Sequence, residues 1–108
     1  MALIIQVDPQ ETHVSIHLNG QVDTKSAPDL LEKLTEIGLA ELAELRIMAM
    51  ELTFLSSAGL RALVFAKQKM PHQSRLILVG GSEEIKATVI RTGLGNAVTI
   101  VDTIEEIA

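Results

Sequence analysis

Phe54-Leu55-Ser56-Ser57-Ala58-Gly59-Leu60 is the point at which one hydrophobic spacing gives way to another. Upstream, Leu45, Ile47 and Met48 belong to a short apolar run of strand type. Downstream, Leu60, Leu63, Val64 and Lys67 recur at helical spacing. A strand therefore feeds a helix here, and one of the two serines is expected to be the N-cap. A side-chain oxygen at that position accepts a bond from a free N–H of the first turn, where the helix dipole also places its positive end. The pair has two readings on these grounds: a cap and nothing more, or a place where a hydroxyl or an anion meets a partner.

Outward from this turn the chain alternates between strands and helices. Leu3 to Val7 reads as a strand, Asp8-Pro9-Gln10-Glu11 as a turn, and His13 to Leu18 as a second strand. Strict alternation in that second strand directs Val14, Ile16 and Leu18 to the core and His13, Ser15 and His17 to the other face. Two histidines at that spacing lack companions at metal-ligand spacing, so they are read as solvated strand residues. Asn19 to Ser26 is a polar loop. Ser26-Ala27-Pro28-Asp29 then offers a cap, a proline tolerated in the first turn and an early carboxylate. Leu30, Leu31, Leu34 and Ile37 form one apolar stripe, which Gly38 stops.

Leu45 to Met50 is more continuously apolar than the second strand, as a strand covered on both faces would be, and Arg75 to Val79 is of the same buried type. Pro71 ends the helix between them. Gly80-Gly81-Ser82 is a tight turn with a cap, since neither a dinucleotide nor a P-loop glycine pattern is present. A third helix carrying Ile85, Val89 and Ile90, a strand near Val98 to Val101 and a short acidic helix from Thr103 to Ile107 complete the pattern. The whole reads as one α/β domain over residues 1–108. A mixed, mostly parallel sheet of four to five strands packs against three to four helices.

Right-handed βαβ crossovers make successive strands parallel, so the loops around Asp23, Ser57 and Gly81 are expected along one edge, where open α/β sheets meet their partners. Asp23 itself reads equally as a turn residue or as part of a site.

Composition narrows the function. A net charge of −5 and only two aromatic residues, Phe54 and Phe65, argue against nucleic-acid binding. No apolar run is long enough to cross a membrane, and Met1 to Val7 lacks the basic start of a signal peptide. A chain without cysteine suits a reducing cytoplasm. No histidine is placed to activate Ser57, and no nucleophile elbow occurs, so neither an enzyme nor a cofactor is expected.

Thr53 to Leu63, Thr-Phe-Leu-Ser-Ser-Ala-Gly-Leu-Arg-Ala-Leu, resembles the signature of the STAS domain, in which a phosphorylatable serine opens the second helix. Matched residue by residue, Ser56 takes a position that holds Asp or Ser, Ser57 the phosphoacceptor, Ala58 a small residue, and Gly59-Leu60 the closing pair. Leu18-Asn19-Gly20-Gln21-Val22-Asp23 looks like the first loop of the family, and Thr92-Gly93-Leu94 like a late element. The resemblance implies an anti-sigma factor antagonist, phosphorylated on Ser57 by the anti-sigma factor acting as a serine kinase and restored by a phosphatase. Ser56 and Thr53 are the secondary candidates for the phosphate. Gln21, Asp23, Thr24, Ser56, Ser57, Ala58, Gly59, Arg61 and Gly81 are the partner-binding set it implies. The alternative within the same fold is a stand-alone STAS subunit of a transporter or another signalling complex, in which Ser57 is only a cap.

Overall fold

The computed structural model describes residues 3–11, 13–91 and 98–107. Among them the strands are β1 (Ile4–Pro9), β2 (His13–Val22), β3 (Glu44–Leu55), β4 (Arg75–Val79) and β5 (Val98–Val101). The helices are α1 (Ala27–Glu36), α2 (Ser57–Lys69) and α3 (Glu83–Arg91), with short 3₁₀ turns over Leu39–Glu41 and Ile104–Ile107. The last of these replaces the acidic helix expected there. Thr92-Gly93-Leu94 lies outside the described residues.

The strands lie side by side in chain order, β1-β2-β3-β4-β5. β1 runs antiparallel to β2, and the remaining pairs are parallel. A sheet that always advances in one direction through right-handed crossovers places its connecting helices on one face. The core bears this out: Val14, Ile16, Leu18, Leu45, Ile47, Ala49, Leu76 and Leu78, alternate residues of three strands, join Leu30 and Leu34 of α1, Leu60, Leu63 and Ala66 of α2, and Ile85 and Val89 of α3.

The other sheet face is only partly covered, which corrects the reading of β3 as covered on both sides. Arg46 and Met48 are half-buried there, and Met50 is 57% exposed. Along β2 the alternation holds for Val14, Ile16 and Leu18, but Ser15, expected on the open side, is buried between Asp8 of β1 and Arg46 of β3. A central strand has a neighbour on each side, and that alone shields a small side chain.

β2 and β3 outrun their apolar segments. Asn19 to Val22, expected as loop, continues β2, and Glu51 to Leu55 continues β3 beside it, with Gln21 opposite Phe54 and Val22 opposite Leu55. Two register shifts fall in this stretch. Each lets β3 carry an extra residue and interrupts the two-residue alternation that marks a strand in sequence. Gly20, with φ of 111°, adopts a backbone conformation that L side chains rarely take.

At the opposite end of the sheet Glu44 is buried to 8% exposure and bonds Arg46 on its own strand and Arg75 on β4. Burial raises the carboxyl pKa, but the two guanidinium partners outweigh it and hold Glu44 below its ordinary value.

Candidate functional site

The turn between β3 and α2 is anchored from both sides. The Ser56 N–H donates to the Val22 carbonyl at 2.8 Å, so the end of β2 and the start of α2 are bound together. Extended backbone at Ser56 then reverses into helix, and its hydroxyl accepts from the Gly59 N–H at 3.2 Å. Ser56 is thus the N-cap. Ser57, the first helical residue, is exposed, and its hydroxyl makes no hydrogen bond among the described residues. The third hydroxyl nearby, that of Thr53, donates to the Gly20 carbonyl at 2.9 Å.

Gly59 explains how closely helix and strand approach. A Cβ built there would lie 2.5 Å from Val22 Cγ1 and 2.8 Å from Leu55 Cδ1. Only a residue without a side chain lets α2 begin so near the end of β2, and Gly59 is buried as a result. It shapes the edge and presents nothing to a partner except backbone.

Asp23 follows directly on Val22. Its Oδ1 accepts from the backbone N–H groups of Lys25 and Ser26 at 3.0 and 2.9 Å and from the Ser26 hydroxyl at 2.9 Å. The Ser26 backbone bond above all, then its hydroxyl, depresses the Asp23 pKa. The turn reading of Asp23 is therefore realised. Ser26 occupies the N-cap position of α1 as expected, but its side chain does not cap. Pro28 has no N–H to offer, the Ala27 and Asp29 N–H groups bond backbone carbonyls, and the hydroxyl turns back to the Gln21 carbonyl and Asp23.

Gln21, Asp23, Thr24, Ser56, Ser57, Ala58 and Arg61 are thereby gathered at one corner, where β2 and β3 end and α1 and α2 begin. Gly81 is not at that corner. β4 pairs with β3 only from Glu44 to Met48, and a Cβ at Gly81 would sit 3.8 Å from Ala49. The further residues of β3 run beside only about four residues of β2, because two of them are taken up by the register shifts, which puts Gly81 roughly 13 Å back along the sheet at about 3.3 Å per residue. Parallel strands do finish at the same edge, but the two-stranded extension of β2 and β3 carries Ser57 beyond the others.

Thr24, Ala27, Pro28 and Leu31 of the first crossover and Ala58, Arg61, Ala62 and Phe65 of α2 line a groove between the two helices, opening beside Ser57. Periodicity alone did not reveal it, because Ala and Pro contribute as much of its wall as Leu and Phe. The histidines are elsewhere: His17 lines a hollow on the open sheet face with Ile4, Gln6 and Met48. His72 lies beyond the far end of α2, about 20 Å from Ser57 at about 1.5 Å rise per residue. Among the described residues no group of three or more His, Cys, Asp or Glu could hold a metal ion, and no helix is long and apolar enough to cross a membrane.

The STAS domain is the family that matches, over residues 5–107. An anti-sigma-B factor antagonist of Listeria monocytogenes is 31% identical over 102 residues, 93% of this chain and 90% of its own length. Among solved structures, an anti-sigma factor antagonist from Mycobacterium paratuberculosis superposes with a TM-score of 0.87 at 19% identity, covering 97% of this chain and 90% of that one. The Bacillus antagonist SpoIIAA in its phosphorylated form gives a TM-score of 0.72 at 20% identity, covering 96% of each chain.

Proposed function

This chain belongs to the STAS domain family, and from that premise we propose that it is an anti-sigma factor antagonist switched by phosphorylation of Ser57. Unmodified, it binds an anti-sigma factor through the corner that holds Asp23, Ser56 and Ser57 and so frees a sigma factor. The same partner, acting as an ATP-dependent serine kinase, phosphorylates Ser57, and a phosphatase resets the chain. The relative from Listeria supports the first part by its name, and the phosphorylated form of SpoIIAA supports the second by analogy of fold.

The observation that carries the assignment is the division of labour among the three hydroxyls. Ser56 and Thr53 are engaged, one by a helix N–H and one by a carbonyl, while Ser57 is exposed and its hydroxyl has no partner among the described residues. A phosphate there adds about −1.5 to −2 charges at the positive end of a helix whose first turn contains no acidic residue. The fold tolerates the modification, whereas a partner packed against the bare hydroxyl has to desolvate a dianion. Cytoplasmic residence follows from the same reading, because sigma factors act there.

Incubation with the co-purifying kinase and ATP, followed by mass-spectrometric mapping, tests it. Phosphate is expected on Ser57. Ser57→Ala should bind the partner permanently, and Ser57→Asp should bind poorly while staying folded. Equal affinity of both variants and the parent would sink the switch and leave a STAS subunit of some other complex. The protein alone is expected neither to hydrolyse nor to bind ATP tightly. Saturable micromolar binding in a calorimetric titration would remove the case for a module that only binds proteins.

A further inference from the structure

We propose that the groove between α1 and α2 is the docking site for an acidic, amphipathic helix of the protein partner, with Arg61 as the cation that receives it. This deepens the function proposed above and rests on it only in assuming that a protein partner meets this corner. Three observations carry it.

The groove is apolar where it is deep and basic where it is open. Ala27, Leu31, Ala58, Ala62 and Phe65 supply its walls, and among the described residues Arg61 is the only charged one lining it. Arg61 is exposed and makes no ion pair among the described residues. Along the rim Lys69 stands 5.3 Å from the Phe65 ring centre. α2 contributes Arg61 and Lys69 and no acidic residue, in a chain whose net charge is −5, while its third cation, Lys67, turns away to donate to the Ser74 hydroxyl. The acidic residues of α1 point elsewhere: Asp29 and Glu32 line a separate hollow with Leu3 and Ile5 of the β1 side, and Glu36 pairs with Lys33, which lines the same hollow. A locally basic apolar groove selects a segment of opposite charge, and the like-charged groove of a second copy of this chain is repelled from it.

Its size also favours side chains over a small molecule. At about 260 Å³ it falls below the roughly 300–1,000 Å³ of pockets that enclose drug-sized ligands. Being open along two helices, it accepts successive apolar residues of a third helix laid against them, as helix-in-groove recognition does. Continuity with the switch is the third observation. Ala58 follows Ser57 and lines the groove, and Arg61 lies four residues after Ser57, the spacing at which an anion nearer the N-terminus pairs with a cation on the same helix face. A phosphate on Ser57 would draw the Arg61 guanidinium to itself and deprive the groove of the charge that receives the partner.

Replacing Phe65 with a photo-crosslinking residue, in the chain expressed in its native host, tests the occupant directly, with the crosslinker at exposed Ile90 of α3 as control. The peptide joined at position 65 is expected to be acidic, with apolar residues three and four apart, and to be absent from the control. A peptide from a second copy of this chain, a basic or non-amphipathic peptide, or no adduct at position 65 would overturn the proposal. In the purified pair, Arg61→Glu is expected to weaken binding at least ten-fold, and Arg91→Glu on α3 to leave it unchanged. If Ser57→Asp abolishes binding while Arg61→Glu does not, the switch stands and the groove falls. The reverse result keeps the groove and removes the switch.

Discussion

Where β3 begins, Glu44 is 8% exposed and its two carboxylate oxygens bond Arg46 and Arg75. Where β3 ends, Ser57 is exposed and its hydroxyl bonds nothing among the described residues. Both are polar groups at the margin of the same strand. The difference lies in what water can reach, since a buried carboxylate has to find its partners inside the fold, while an exposed hydroxyl can remain uncommitted. Ser56 and Asp23, beside Ser57 in space, side with Glu44, because their oxygens are used by the turn itself. The proposed switch thus falls on the polar group left out of the internal network.

The sharpest way to break this comparison is to disturb the frame that holds Ser57 in place. Gly59→Val would drive its Cβ against Val22, whose branched side chain has little room to turn. A loss of about 3 kcal/mol is expected, at the upper end of overpacking effects, read from the shift of the denaturation midpoint. A shift of only a few tenths would show that α2 can move off the strand.

At the other end, Glu44→Gln should cost about 2 kcal/mol, because it leaves two guanidinium groups without their charge partner in a half-buried setting. The parent should also lose this contribution in acid. The folded Glu44 pKa lies below its ordinary value, so the unfolded chain binds the proton more readily. The stabilisation is complete above the ordinary carboxylate pKa and disappears as pH falls through the depressed one. Midpoints measured from neutral to acidic pH should converge for the parent and Glu44→Gln, and parallel curves would contradict the ion cluster.

The smallest effects draw the finest distinction. Ser56→Ala removes the cap and is expected to cost about 1 kcal/mol, whereas Ser57→Ala should stay within about 0.5 kcal/mol while changing the response to the kinase. Equal losses at the two positions would mean that Ser57 has a structural partner after all.

The fold was legible because its elements differ in hydrophobic period. α1 stops at Gly38, whose φ of 70° is the left-handed value that such a stop requires. β4 is buried from Leu76 to Val79, as its unbroken apolar run indicates. The extensions of β2 and β3 were not legible, since extra residues at the register shifts disrupt the alternation and Asn19-Gly20 has the composition of a turn. The offset of Gly81 from Ser57 has the same origin. Parallel topology fixes which ends of the strands share an edge, but only strand length fixes how far along it each loop sits. Which serine caps was likewise undecided until the backbone at Ser56 was seen to be extended and that at Ser57 helical.

One consequence of the strand order concerns how the chain acquires its shape. Because every pair of neighbouring strands is also consecutive in sequence, each new strand adds to the open edge of what already exists, and no closure waits for a distant segment. Loop-closure entropy rises only slowly with length, and mainly local closures favour rapid folding. During synthesis from the N-terminus the corner around Ser57 needs only the first 69 residues, through α2, to bring all its parts together. β4 and β5 then extend a sheet whose Ser57 corner has already been laid down.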